Sequence, residues 1–230
     1  MSYLINKKNQ KIAYKSTKGS SIGIIFIHGL NSDMSGLKAI TIEKYAKKNN
    51  YSFIRFDCRG HGKSSGKFED FTISDWKEDL LTIIDNLTNG PQILIGSSMG
   101  GWLMTLAAKA RPKRICGLIG LAAAADFGKD LHKNLSPKNK IELNKKGFTK
   151  YSSYGFSYTL TKKFFLDAKK NNILKKKFIF NKPVILIHGL KDSVVKSDMP
   201  KKIMNIITGN KVQIIYLKDS DHRLSNKHDL

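Results

Sequence analysis

Six separate apolar runs rich in β-forming residues constrain this chain more than any other feature: 22–28 (IGIIFIH), 53–57 (FIRFD), 91–96 (PQILIG), 115–121 (ICGLIGL), 183–188 (PVILIH) and 211–217 (KVQIIYL). Near-continuous hydrophobicity, in place of strict alternation, is what strands need when helices cover both faces of a parallel sheet. A weaker run around 11–15 reads as an edge strand. Between the runs lie helical patterns. In 73–87, Trp76, Leu80, Ile83, Ile84 and Leu87 share one face behind a Thr72-x-x-Asp75 capping signal. In 98–110, Trp102, Leu103, Leu106 and Ala110 recur at helical spacing, and the pattern stops at Arg111-Pro112 because the residue before proline avoids the α region. The expected fold class is α/β, a mostly parallel doubly wound sheet with helices on both faces.

The rhythm breaks between about 126 and 180, where lysines interleave with Phe148, Tyr151, Tyr154, Phe156, Tyr158, Phe164 and Phe165. This stretch reads as a helical lid inserted after one strand and before the next, where a cap over the carboxyl edge of the sheet belongs. With 230 residues and no internal repeat or low-complexity linker, one domain spanning 1–230 is expected. No apolar run approaches the ~18 residues that cross a bilayer. The start, MSYLINKKNQ, has neither a secretory h-region nor the pattern of a transit peptide, so a cytoplasmic address is expected. Cys58 and Cys116 have no metal-binding or disulfide-framework spacing and read as core thiols.

Gly96-Ser97-Ser98-Met99-Gly100 matches G-x-S-x-G at the junction of a predicted strand and a predicted helix. The chemistry needs that setting: Ser98 must stand on a sharp turn, with glycines at ±2 so that strand and helix can approach. The bland alternative is a glycine-rich turn whose serine only caps a helix. A serine hydroxyl is a weak nucleophile, so a base and a group to orient it are required. Asp192 follows run 183–188 and His222 follows run 211–217, which is the chain order serine, acid, histidine. His28, His61, His132, His188 and His228 compete with His222 and lose on position; Asp198, Asp219 and Asp221 compete with Asp192. Two backbone amides should hold the oxyanion, one from Met99 after the nucleophile and one from Leu30 after His28-Gly29. His28-Gly29, Asp57, Ser98, Asp192 and His222 each stand at or just past the carboxyl end of a different run, the edge where open α/β sheets bind ligands.

With these motifs in view, the chain resembles the α/β-hydrolase superfamily, and within it the abhydrolase-domain palmitoyl-protein thioesterases and acyl-glucuronide esterases of mitochondria and their bacterial relatives. FDCRGHGKSSG (56–66), PQILIGSSMGGWL (91–103), ARPKRICGLIGLAAAADF (110–127), HGLKDSVV (188–195) and DSDHR (219–223) carry the resemblance, which spans roughly 20–226. It implies hydrolysis of acyl esters or thioesters by Ser98, Asp192 and His222, an insertion forming part of the acyl pocket, and no cofactor or metal. The chain departs from that pattern in showing no mitochondrial presequence and in ending eight residues after His222, where relatives continue into a final helix on the sheet. Exposed apolar surface is expected there if the chain is cut short.

The expected substrate is a small molecule or an acylated protein bearing an apolar acyl group. Two other readings compete: peptide cleavage of the serine-aminopeptidase kind, which uses the same fold, and a non-catalytic basic module for nucleic acid. Only the net charge of +23 motivates the second. That excess is nearly all lysine, with arginine only at Arg55, Arg59, Arg111, Arg114 and Arg223, whereas bidentate recognition of phosphates and bases favours arginine. No nucleic-acid partner is therefore expected. The lysines read as a solvated surface that can at most steer anionic acyl carriers such as coenzyme A.

Overall fold

In a computed structural model of the protein the described residues are 1–19, 22–153 and 156–229, with the side chains of 153 and 156 left aside. All six apolar runs are strands. They form β3 (Gly23–Ile27), β4 (Phe53–Phe56), β5 (Gln92–Ser97), β6 (Ile115–Leu121), β9 (Val184–Gly189) and β10 (Val212–Leu217). β3 and β4 are buried at every residue, as a strand covered on both faces must be. The weak run is β2 (Lys11–Thr17), and it pairs with an edge strand, β1 (Ser2–Ile5), that the apolar pattern did not mark. The sheet order is β1-β2-β4-β3-β5-β6-β9-β10; β1 and β2 are antiparallel to their neighbours and the other pairs are parallel.

Helices α2 (Ile73–Leu87) and α3 (Met99–Ala110) lie where their periodicity puts them. The backbone N–H and hydroxyl of Thr72 both donate to the Asp75 carboxylate at the start of α2, which buries Ile73, Trp76, Leu80, Ile83 and Ile84. These helices, together with Met199, Ile203 and Ile206 of α7 (Met199–Ile206), share the main apolar core with one face of the sheet. α1 (Leu37–Lys48) packs on the opposite face in a smaller cluster with Ile24, Phe26, Phe53 and Ile95. Beyond α1, that second face borders a trough of about 660 Å³ whose floor includes Ile93, Ile119, Leu121, Ile187, Ile215 and Leu217. Ile215 on this face is 43% exposed.

The insertion is not wholly helical, which corrects the expectation. After α4 (Gly128–Lys133) and α5 (Pro137–Lys146), residues Phe148–Ser153 (β7) and Phe156–Thr161 (β8) form an antiparallel hairpin before α6 (Lys162–Lys170). Threonine, tyrosine and phenylalanine alternating with polar residues on both sides of Tyr154-Gly155 favour a pleated pair over a helix. Tyr151 and Tyr158 face each other across it with rings 5.6 Å apart. Tyr154 lies outside the described residues. Aromatic contacts tie the insertion to the body, Tyr158 to Phe68, Phe164 to Trp76 and Phe127 to Trp102. Among the described residues no helix is long and apolar enough to cross a membrane. Cys58 and Cys116 are free thiols, the first buried and the second partly so.

Candidate active site

Ser98 sits between β5 and α3 with φ 52° and ψ −116°, a left-handed conformation that side chains other than glycine's rarely adopt. The surroundings impose it. Ser98 N–H donates to the Leu121 carbonyl, and the Ser98 carbonyl accepts from the amides of Gly101 and Ala124. The turn is tight enough that a Cβ on Gly96 would run into the Gly100 carbonyl, which is why the motif needs glycine there. The hydroxyl is thereby raised above the carboxyl edge of the sheet.

Asp192 and His222 come to the same point from the loops after β9 and β10. Asp192 Oδ1 accepts from the amides of Val194 and Val195, each at 2.8 Å, which anchors the carboxylate by its own backbone turn. His222 Nδ1 lies 2.8 Å from Asp192 Oδ2, and His222 Nε2 lies 3.0 Å from Ser98 Oγ. A neutral imidazole protonated at Nδ1 satisfies both contacts, donating to the carboxylate and accepting from the hydroxyl. Burial pushes the Asp192 carboxyl up, but hydrogen bonds from His222 and the Val195 and Val194 amides, with the His222 charge, outweigh it and hold the group below the usual carboxylate range. The Asp192 carboxyl is thus ionised at neutral pH. The rival acids are occupied elsewhere: Asp198 pairs with Lys202, Asp219 pairs with Lys191, and Asp221 accepts from the Arg223 amide.

A pocket of about 360 Å³ opens beside Ser98 and His222, walled by the loop 28–38 and by Arg223 and Ser225. It includes Leu30, whose amide is one of the two expected oxyanion donors. Neither the Leu30 nor the Met99 amide donates a hydrogen bond within the described residues. Gly29 brings the first of these loops close, since a Cβ there would come within 3.2 Å of Ser98 Cβ. No residue of 126–180 lines this pocket, and aromatic side chains of the insertion contact α2, α3 and the turn at Phe68. Among the described residues no three histidine, cysteine or acidic side chains converge to hold a metal ion.

Three residues that lost the contest for the base turn out to support the site. His28 is buried, donates from Nδ1 to the Gly29 carbonyl at 2.7 Å and accepts at Nε2 from the Cys58 amide; burial keeps its pKa low, so it is a neutral brace under the Leu30 loop. His61 accepts at Nε2 from the Asn31 amide at 3.2 Å, and burial with the neighbouring His28 pushes its pKa down to about 3. His188 lies under the acid, with Nε2 bonded to the Val195 carbonyl at 3.0 Å and 3.4 Å from Asp192 Oδ2. A histidine at a strand end advertises a polar role, but its partners come from distant segments, so spacing alone does not assign it. Asp57, expected at the binding edge, accepts from the amides of Met34 and Lys63 and so closes the same loop from below. His132 stacks edge-on against Phe165, and His228 is exposed.

The sequence and the overall fold are shared with known proteins. A family model described as serine aminopeptidase, S33, matches residues 21–150. The chain belongs to this family of α/β-hydrolases. The hydrolase is 40% identical over 234 residues to the human protein named palmitoyl-protein thioesterase ABHD10, mitochondrial, an alignment covering 100% of this chain and 76% of the relative. The solved structure of mouse alpha/beta hydrolase domain-containing protein 10 superposes on it with a TM-score of 0.91 at 37% identity, covering 99% of this chain and 92% of that one. Est1E from Butyrivibrio proteoclasticus, at 20% identity and a TM-score of 0.84 over 100% and 93% of the two chains, shares the fold alone. The hydrolase is accordingly an enzyme, a serine hydrolase, and the reading as a non-catalytic basic module is set aside.

Proposed function

We propose that this serine hydrolase cleaves esters or thioesters of apolar acyl groups through an acyl-enzyme on Ser98, with His222 as base and Asp192 as orienting acid. The observation that carries this reading is the unbroken hydrogen-bonded line from Asp192 through His222 to Ser98 Oγ. His222 Nε2 takes the hydroxyl proton as Oγ attacks the acyl carbon, and Asp192 holds the Nδ1 tautomer and stabilises the imidazolium. The Leu30 and Met99 amides receive the oxyanion. Collapse expels the alcohol or thiol, protonated by His222; a water deprotonated by His222 then attacks the acyl-enzyme and frees the acid. The human relative's name supports the thioester arm, and the acyl group enters either as a small molecule or on a protein.

The remaining parts of the reading follow. The chain is one hydrolase domain, and residues 126–180 cap the carboxyl edge of its sheet as a lid without walling the present pocket. A cytoplasmic address belongs to this reading, whereas the human relative is named mitochondrial; cell fractionation decides between them. Ser98→Ala is expected to lower kcat on the order of 10⁴- to 10⁶-fold and to abolish labelling by a fluorophosphonate probe. The assay runs p-nitrophenyl esters, acyl thioesters and amino-acid anilides in parallel across an acyl-chain series. Undiminished ester turnover by the alanine variant would refute the Ser98 assignment, and preference for the anilides would restore the aminopeptidase reading.

A further inference from the structure

The net charge is not spread evenly. Residues 126–180 hold fourteen lysines and no arginine against four acidic residues, so +10 of the chain's +23 sits in under a quarter of its length. Three of the four acids are already engaged: Asp126 accepts from the amides of Ile173 and Leu174, Asp167 from Ser74, and Glu142 from Thr149 and Lys146. Among the described residues Lys146 alone of the fourteen is ion-paired, while Lys140 and Lys163 donate to backbone carbonyls.

The two longer helices of the insertion repeat one pattern. α5 buries Leu143, and Lys138, Ile141 and Lys145 lie on the opposite face at i, i+3 and i+7. α6 buries Phe164 and Ala168, and Lys162, Leu166 and Lys169 lie opposite at i, i+4 and i+7. The buried residues of both helices belong to the same core, so both lysine-flanked faces point away from it. Ile141 is 56% exposed and Leu166 55%, unusual positions for large aliphatic side chains on helices that have a core available to them.

We propose that these lysine-flanked helix faces of the insertion dock on anionic phospholipid surfaces. Exposed aliphatic side chains between lysines suit a bilayer interface, where the aliphatic group enters the headgroup boundary while the ammonium groups meet lipid phosphates. The absence of arginine from the insertion disfavours the bidentate phosphate contacts of a nucleic-acid surface. Docking would hold the hydrolase where apolar acyl chains partition. The inference takes its purpose from the proposed acyl substrate, but its test needs no turnover, so failure to dock and failure to hydrolyse are separate results.

The test is co-sedimentation of the full chain with vesicles of phosphatidylcholine alone and of phosphatidylcholine mixed with phosphatidylglycerol, with polyuridylate as a competing polyanion. Binding is expected to the anionic vesicles only and to be released by high salt, which shortens the screening length from about 8 Å at physiological ionic strength. Lys138→Glu, Lys145→Glu, Lys162→Glu and Lys169→Glu together are expected to reduce the bound fraction roughly tenfold or more. Ile141→Ser with Leu166→Ser, which leaves the charge intact, should reduce it severalfold. Unchanged melting temperature qualifies each variant as folded, and a Lys→Gln set replaces any reversal set that is not. Absence of binding, equal binding to both vesicle types, folded variants that bind like the parent, or binding to polyuridylate in place of vesicles would each overturn the proposal.

Discussion

The loops at the carboxyl edge of the sheet and the insertion beside them are built on opposite principles. In the loops, hydrogen bonds specify position atom by atom: both oxygens of Asp192 are used, His28 and His61 each spend one ring nitrogen on a loop amide, and Ser98 is bonded through both of its peptide groups. In the insertion, aromatic contacts and a shared apolar core do most of the holding, Asp167 and Asn171 add polar ties to Ser74, and most of the lysines face solvent. Polar specification makes a site in which one misplaced atom is costly, because a desolvated donor or acceptor has no substitute partner. Apolar packing spreads its stabilisation over area, so a loss weakens the whole without redirecting the chemistry.

If that contrast holds, the largest change should come from the smallest alteration. Asp192→Asn keeps shape and the amide contacts but no longer favours the Nδ1-protonated imidazole, and kcat for an activated ester should fall roughly 10⁴-fold with little change in melting temperature. A loss of stability in place of activity would mean that the carboxylate is structural. Phe164→Ala should do the reverse. This buried ring, packed on Trp76 and Phe127, is expected to cost about 3–5 kcal/mol of unfolding free energy in a denaturant titration, with kcat per folded molecule changed far less. Loss of kcat at full folding would show that the insertion shapes the reacting geometry after all.

Acid sharpens the comparison more gently. His61 is neutral in the folded chain down to about pH 3, whereas in the unfolded chain it gains its proton near the ordinary value of about 6.5. Between those limits the unfolded state binds more protons, so stability is full above pH ~6.5 and declines as pH falls towards 3, by up to about 1.4 kcal/mol per pH unit from this group. His61→Gln, which cannot titrate there, should flatten the fall in melting temperature over that window. An unaltered slope would place the acid sensitivity elsewhere, with buried His28 the next group to replace.

The same division explains what could be read before the fold was known. β3, β4, β5, β6 and β9 are buried enough to show as apolar runs, β10 is apolar although half-exposed, and the ends of these strands locate Ser98, Asp192 and His222. β1 is an edge strand with three of its four residues exposed and leaves no such trace. α1 is weakly amphipathic, with Gly36 giving no side-chain cap at its start, so nothing in LKAITIEKYAKK announces a helix on the second face. The alternation over 148–161 favours a hairpin, but it is short and lies between lysine-rich helical segments whose pattern masks it. The supporting roles of His28, His61 and His188 depend on partners such as Cys58, Asn31 and Val195, and such pairings exist only once the strands are in register.

The left-handed bend at Ser98 also bears on the reaction cycle. Its N–H is tied to Leu121 and its carbonyl to Ala124 as well as to Gly101 of its own turn, so neighbouring β6 and the chain just past it help to hold the Ser98 main chain. Forming and breaking a covalent bond at Oγ can then proceed by rotation about the side chain alone. The resting and acylated enzyme would share one main-chain trace at residue 98, and each turnover would begin from an already poised hydroxyl.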